Sequence, residues 1–271
     1  MIITADDFGR SHEINTAVIK AHQQGILTCA SLMVSGESAD EAVALAKENP
    51  GLNVGLHLVL IDGFSVLPQK DIPDLVDHQR RFSNDPAVGG ARYFFSARAR
   101  RQLREESRAQ VEKFLDFGME MDHLNSHHHL HIHPTIAGIV VELARDYRIA
   151  AIRLPLQGLR MVTRSTAAMA AVMFPWVMNL KFKLDMAGIA HNREVMGLYE
   201  NDAMHEASWL RLIPKLKPGI TEMFCHPALT DHSDQNEKSP SFGEYEALIS
   251  PKVKEALAQA KAVLGSFSDF V

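Results

Sequence analysis

Short apolar runs, each about the length of a strand, alternate along this chain with longer stretches whose apolar residues recur at helical spacing. That alternation limits the fold more than any other feature, because repeated βα units bury both faces of a parallel sheet and leave few topologies open. The expected strands are Ile2 to Ala5, Thr28 to Val34, Asn53 to Leu58, Met121 to Asn125, Ala150 to Leu154 and Thr221 to Cys225. Ser11 can cap a helix over Ile14 to Gln23 that stops at Gly25, and Ser38 another that runs through Glu48 and stops before Pro50. Arg101 to Phe117 puts Leu103, Val111, Phe114 and Leu115 on one side of a charged helix, with Gly118 at its C-terminal end. Pro134 suits the first turn of a helix to Arg145, while Glu206 to Ile213 and Val253 to Leu264 read as two later helices. With 271 residues, 46% of them hydrophobic, the chain can bury one sizeable core. The expectation is one catalytic domain over residues 1–271: an α/β fold, a TIM-like (β/α) barrel, irregular or with fewer than eight strands.

Two regions break the pattern. Residues 61–96 carry Pro68, Pro73, Pro86, Gly63, Gly89 and Gly90 with little periodicity, and Asp231 to Gly243 is rich in Ser, Asp, Asn and Pro. Long loops of this kind inside a compact domain usually serve function. Lys plus Arg number 28 against 33 Asp plus Glu, a formal charge of -5, so there is no basic field and no nucleic-acid partner is expected. Two distant cysteines, Cys29 and Cys225, and a start that reads Met-Ile-Ile-Thr-Ala, a strand rather than a charged leader, point to a reducing, cytoplasmic setting. The most apolar stretch, Ala167 to Leu184, is interrupted by Pro175, Lys181 and Lys183, and does not read as a spanning helix.

Three clusters able to carry chemistry sit where expected strands end: Asp6-Asp7, His57, and the run that starts at His127. In a βα barrel those ends converge on the face that hosts the active site. Adjacent acids on an extended segment point in opposite directions, but a turn at Phe8-Gly9 would let one bind metal while the other accepts a proton. The plainer reading is an acidic turn that caps the next helix. His57, between Leu56 and Leu58, reads alone as a satisfied core histidine; its position at a strand end favours a ligand. Five histidines within residues 127–133 cannot all hold one ion, since a catalytic site uses about three protein groups and an open position. The remainder would face substrate or serve structure. If residues 126–129 stay extended, His127 and His129 share a face and His128 points away. His226, before Pro227, could protonate a leaving group or simply pack in a loop. Arg153 could bind a substrate oxygen or pair with a carboxylate.

These residues carry a resemblance. Thr4-Ala5-Asp6-Asp7-Phe8-Gly9, Gly55-Leu56-His57-Leu58, His123-Leu124-Asn125-Ser126-His127-His128-His129-Leu130-His131 and Cys225-His226-Pro227, in this order and spacing, resemble the YdjC-type carbohydrate deacetylases over nearly the whole chain. The segments Leu58-Val59-Leu60 with Val66-Leu67-Pro68, Ile72 to Asp77, and Arg100-Arg101-Gln102-Leu103 resemble the hopanoid-biosynthesis-associated branch of that family. The resemblance implies a (β/α) barrel that hydrolyses the N-acetyl group of an amino sugar with one divalent metal ion, Zn²⁺ or Mg²⁺. By position in the motifs, Asp7, His57 and His127 match the metal ligands, Asp6 the general base, and His226 a histidine suited to act as general acid. Arg153, His129 and His131 are the candidates for substrate contact. Asn125 departs from the Asp that the family often has there, which removes one charge partner for a site histidine. Ala228 stands where many members have Gly.

The branch resemblance implies an N-acetylglucosaminyl hopanoid as substrate, which would give Met169 to Met186 work as an apolar lid or as a contact with the inner face of the membrane. The plainer reading of that segment is a barrel helix packed on the sheet. The expected partners are an N-acetylated glycolipid or oligosaccharide, peripheral membrane contact, and a second copy of the chain in a homodimer. Three other readings stay open: a deacetylase of soluble chitooligosaccharides, a non-catalytic His-rich metal-binding protein, and an amidohydrolase-like barrel with its metal on His129 and His131 or on His131 and His133.

Overall fold

The computed structural model describes residues 1–158, 166–198, 204–229 and 240–270. Six strands, β1 (Ile2–Phe8), β2 (Cys29–Leu32), β3 (Asn53–Leu58), β4 (Leu124–Ser126), β5 (Glu194–Met196) and β6 (Thr221–Cys225), form one sheet in the order β4-β3-β2-β1-β6-β5. Every pairing is parallel. The sheet curls until segment 150–156 spans its two edges. Leu124 bridges Ile152, Ala151 bridges Ala190, and the Val195 amide donates to the Leu156 carbonyl at 2.9 Å. The result is an irregular TIM-like barrel of six strands, as expected from the alternation.

The strand expected over Ala150 to Leu154 is reduced to these isolated bridges, and its backbone explains why. Asn192 uses its side-chain amide in place of a neighbouring strand: Oδ1 accepts from Leu154 N at 2.7 Å and Nδ2 donates to Leu154 O at 2.8 Å. The strand that forms instead, β5, has three residues, Glu-Val-Met, too few to show a period.

Helix α1 (His12–Gln24) begins as expected, with Ser11 Oγ accepting from Ile14 N, and ends at Gly25. Helix α2 (Ala39–Glu48) follows Ser38, but the Ser38 hydroxyl makes no cap bond; its backbone is tied to Gly9 and to the Asn15 amide instead. Residues 61–96 contain helix α3 (Pro86–Phe95), which periodicity did not reveal. The loop before it is pinned from α4 (Ala97–Asp116), where Glu106 accepts the Val66 and Leu67 amides and Gln110 brackets Val59. Helix α4 starts earlier than expected because Ser96 caps it, and Leu115 stays 40% exposed, outside the buried face of Leu103, Val111 and Phe114. In α5 (Pro134–Asp146), His133 accepts the Thr135 amide at the N-terminus, so one histidine of the run is a helix cap.

Helix α6 (Ala167–Ala187) is apolar on all sides up to Met178, a pattern that normally signals burial, and carries Asn179, Lys181, Lys183 and Asp185 beyond it, yet only Val177, Leu180 and Leu184 are buried. Met169, Val172, Phe182 and Met186 are each more than half exposed. No helix among the described residues is long and apolar enough to cross a membrane. Helices α7 (Glu206–Leu212), α8 (Pro240–Leu248) and α9 (Pro251–Gln259) complete the shell. Most of the Asp231 to Gly243 loop, residues 231–239, lies outside the described residues, and α8 begins at its end. Helix α9 stops short of Leu264, and the chain then folds under the barrel, where Gly265 N donates to Met1 O and Ser268 to Asp122.

Candidate metal centre

The first strand ends in a distortion that aims two carboxylates. From Ala5 to Phe8, β1 takes three steps while β2 takes two, from Ala30 to Leu32, so β1 bulges. Asp7 sits in the bulge with φ 64, a left-handed conformation that costs a non-glycine residue about 1–3 kcal/mol and clusters at functional sites. Gly9, at φ 92, completes the turn, where a Cβ would meet Leu32 and the backbone of Met33 and Ala39. The turn expected at Phe8-Gly9 thus begins one residue earlier, at an acid, and brings Asp6 and Asp7 to the same side.

Asp7 Oδ1 lies 3.2 Å from His57 Nε2 and 2.9 Å from His127 Nδ1, and those two nitrogens lie 3.4 Å apart. All three residues are buried. Asp7 Oδ1 has no hydrogen bond of acceptable geometry despite these short distances, which leaves a buried oxygen whose natural partner is a cation. Tetrahedral coordination with bonds of about 2.0–2.1 Å puts ligand atoms about 3.3 Å apart. The observed triangle matches that edge, and one carboxylate with two imidazoles suits a borderline divalent ion. Asp7, His57 and His127 could therefore hold a metal ion. A second group, Asp62, His127 and His128, also has ligand atoms near one another, but the Arg10 guanidinium stands there, 3.4 Å from Asp62 and 3.5 Å from His127 Nε2, and disfavours a second cation.

The electrostatics agree. Burial pushes Asp7 up, but the imidazoles of His127 and His57 outweigh it and hold the carboxyl well below its usual range. Burial likewise pushes Asp6 up, and the Arg153 guanidinium, with His57, holds it far below. Asp6 is gripped by Arg153 at 2.5 and 3.0 Å, and Arg153 by Glu222 from 2.7 Å. Arg153 is fully buried with its donors turned to two carboxylates, so it orients Asp6 from behind rather than reaching into the cleft. Asn125, the departure from the family pattern, accepts from His57 Nδ1 at 2.6 Å and donates to Asp6 at 3.1 Å. A carboxylate in its place could not donate to Asp6.

The histidine run turns rather than staying extended: His128 and His129 have φ 53 and 52. His127 faces Asp7, His128 is exposed, and the His129 ring packs edge-on to Phe224 at 5.0 Å. Burial, then the Arg153 charge, push His129 well down, and its Nδ1 has no partner. His131 is fully buried and pushed down to about 3 by burial and Arg153. Its Nδ1 meets Ser126 Oγ at 2.7 Å and its Nε2 the Arg153 carbonyl at 3.0 Å, so neither nitrogen is left for substrate or metal. That removes the His-X-His metal pairs built on His131.

A cleft of about 490 Å³ opens over the centre. Asp6, His57, His127, His129 and His226 supply its polar wall, and Met169, Met173 and Phe224 part of its apolar one. His226 is exposed there, its backbone N–H bound by Glu244 of α8. A larger cleft of about 770 Å³ adjoins across Arg10 and Asp62, with Phe64, Ser35 and Arg81 among its lining. Sequence reasoning passed over Glu222, Ser31 and Glu244. Glu222 carried a signal, an acid in the middle of an apolar strand, which demands a buried partner.

The family model described as YdjC-like protein matches residues 1–259. The carbohydrate deacetylase of Brevibacillus brevis is 31% identical over 273 residues, covering 99% of this chain and 98% of the relative. That of Geobacillus stearothermophilus is 34% identical, covering 85% and 80%. A crystal structure from Enterococcus faecalis V583, of a protein assigned to cellobiose-phosphate cleavage, superposes with a TM-score of 0.80 at 24% identity over 100% of this chain and 98% of that one, which establishes the shared fold. With its aspartate bulge, buried histidines and full-length likeness, this chain belongs to the YdjC-like family.

Proposed function

We propose that this protein is a metal-dependent carbohydrate deacetylase that hydrolyses the acetamide of an N-acetylated amino sugar. The observation that carries the reading is the triangle of Asp7, His57 and His127 donor atoms at metal-binding spacing, with Asp6 and His226 on the walls of one cleft. A divalent ion such as Zn²⁺ or Mg²⁺ at these three side chains would supply a water of lowered pKa and a polarised carbonyl. Asp6, held ionised by Arg153 and Asn125, takes the proton of the attacking water. His226 gives a proton to the departing amine. His129, kept neutral by burial and Arg153, faces the cleft and suits contact with a sugar hydroxyl. The products are acetate and a free amino sugar.

The finer reading is a sugar borne by a lipid, as the hopanoid-branch resemblance implies. Its support is the apolar α6: Met169 and Met173 line the cleft, and Val172 and Phe174 beside them in the helix are exposed. A soluble chitooligosaccharide is the second reading, favoured by the adjoining mixed polar cleft, which has room for further sugar rings. The test is acetate release from N-acetylglucosaminyl lipids and from chitooligosaccharides by metal-loaded protein. Release from lipid substrates at the higher kcat/KM sustains the finer reading. No acetate from any N-acetylated sugar, with tight binding of several ions per chain, would instead favour a metal-binding protein without catalysis.

A further inference from the structure

Beneath the metal centre, buried polar side chains run unbroken from the base of the barrel to His57. Ser268, in the segment after α9, donates its backbone N–H and hydroxyl to Asp122 Oδ1 at 2.9 and 2.7 Å. Asp122 Oδ2 lies 2.8 Å from His123 Nδ1, and His123 Nε2 lies 2.9 Å from Ser31 Oγ. Ser31 Oγ accepts from Asn125 Nδ2 at 2.8 Å, and Asn125 reaches His57 and Asp6. Asp122 is 4% exposed, and His123, Ser31 and Asn125 not at all. Polar groups this deep are costly unless each is satisfied, and a satisfied network fixes a single arrangement.

The direction of every bond follows from its ends. Asp122, held ionised against burial by His123 and Ser268, only accepts, so His123 carries its proton on Nδ1 and accepts at Nε2 from the Ser31 hydroxyl. Ser31 oxygen then takes an Asn125 N–H, which turns the amide carbonyl toward His57 Nδ1. With its Nδ1 proton engaged by Asn125, His57 keeps Nε2, the nitrogen that faces Asp7 and His127, as the one it can offer a metal. Asp6, another acceptor, takes the second Asn125 N–H at 3.1 Å, the longer of the two bonds, so the amide loses its shorter anchor when Ser31 is removed. The fold makes room for this line. A Cβ on Gly55 would sit 2.5 Å from the His123 ring, so the strand that bears His57 carries glycine two residues before it. The Phe267 ring stacks on His123 at 4.7 Å from below.

We propose that His123, acting through Ser31 and Asn125, is a positioning residue that sets the tautomer of His57 and so presents its lone pair to the metal. The order Asp122, His123, Ser31 is that of a nucleophile triad, but the hydroxyl is sealed inside the sheet and no substrate reaches it. The proposal rests on Asp7, His57 and His127 as ligands and adds what orients one of them.

The test is Ser31→Ala, which breaks the line without touching a ligand. The Zn²⁺ dissociation constant, read by competition with a chelator, should rise about 10- to 100-fold. In ¹⁵N spectra of the metal-free protein, recorded at a pH alkaline enough that His57 is neutral, its ring should shift from the Nδ1–H form toward a mixture of tautomers, and Ser31→Thr, which keeps the hydroxyl, should restore it. A Ser31→Ala protein that loses thermal stability yet keeps wild-type Zn²⁺ affinity and His57 tautomer would overturn the proposal. So would a wild-type spectrum with the His123 proton on Nε2, whether or not the variant folds. Both readouts are independent of acetate release, so failure here is distinct from failure of the deacetylase reading.

Discussion

The two sides of the metal cleft are built on opposite principles. Behind the ligands, Asp6, Arg153, Glu222 and Asn125 form a sealed polar block in which carboxylates, guanidinium and amide are tied to one another. In front, Met169 and Met173 line the cleft from α6, where Val172 and Phe174 beside them are exposed. The contrast separates two tasks. The proposed reacting groups are held by networks that tolerate no missing partner, while Met side chains on the opposite wall can adapt their shape.

The largest effect should come from the sealed side. Asp6→Asn removes the proposed proton acceptor and should lower kcat about 10²- to 10⁴-fold, with Zn²⁺ binding retained by calorimetry; a kcat within tenfold of wild type would put the base elsewhere. Next in size, Arg153→Met leaves Asp6 and Glu222 buried without their cation, and urea unfolding should show a loss of about 3–5 kcal/mol. A loss below about 1 kcal/mol would mean that the block is not the rigid element described.

Acid sensitivity should also belong to the sealed interior. Burial pushes Asp122 up, but its bonds to His123 and Ser268 outweigh this and depress its pKa from 3.8. A depressed acid contributes stability that is fully present above its unfolded pKa and is lost as pH falls toward the folded value. Melting curves should therefore drop below about pH 4, and by less in Asp122→Asn, which is less stable than wild type at pH 7. An equal acid-induced drop in both proteins would contradict the assignment. The smallest effect belongs to the apolar side: Val172→Ser, beside Met173, should alter stability by about 0.5 kcal/mol or less, as expected of an exposed site.

The same contrast explains what the sequence disclosed. Asp7, His57 and His127 were legible because strand ends converge in a βα barrel, and the residue types at those ends are ligand types. The polar block was only half legible. Arg153 was read as a substrate contact or a plain salt bridge, since nothing local reveals that Glu222 and Asp6 close on it from two other strands. His131 reads as available in the sequence, and only tertiary contacts with Ser126 and the Arg153 carbonyl consume both nitrogens. Periodicity failed where side chains replace ladder bonds, as Asn192 does at Leu154. For α6 it left a packed helix and an apolar lid both open, and the structure packs one face, Val177, Leu180 and Leu184, while it exposes much of the rest.

The most direct measurement of the metal centre is Zn²⁺ titration of wild type and His57→Ala by calorimetry, with X-ray absorption on the loaded protein. The structure predicts one ion per wild-type chain, bound by nitrogen and oxygen donors at about 2.0–2.1 Å, and no comparable binding in His57→Ala. One ion bound with undiminished affinity in His57→Ala would contradict the site built from Asp7, His57 and His127.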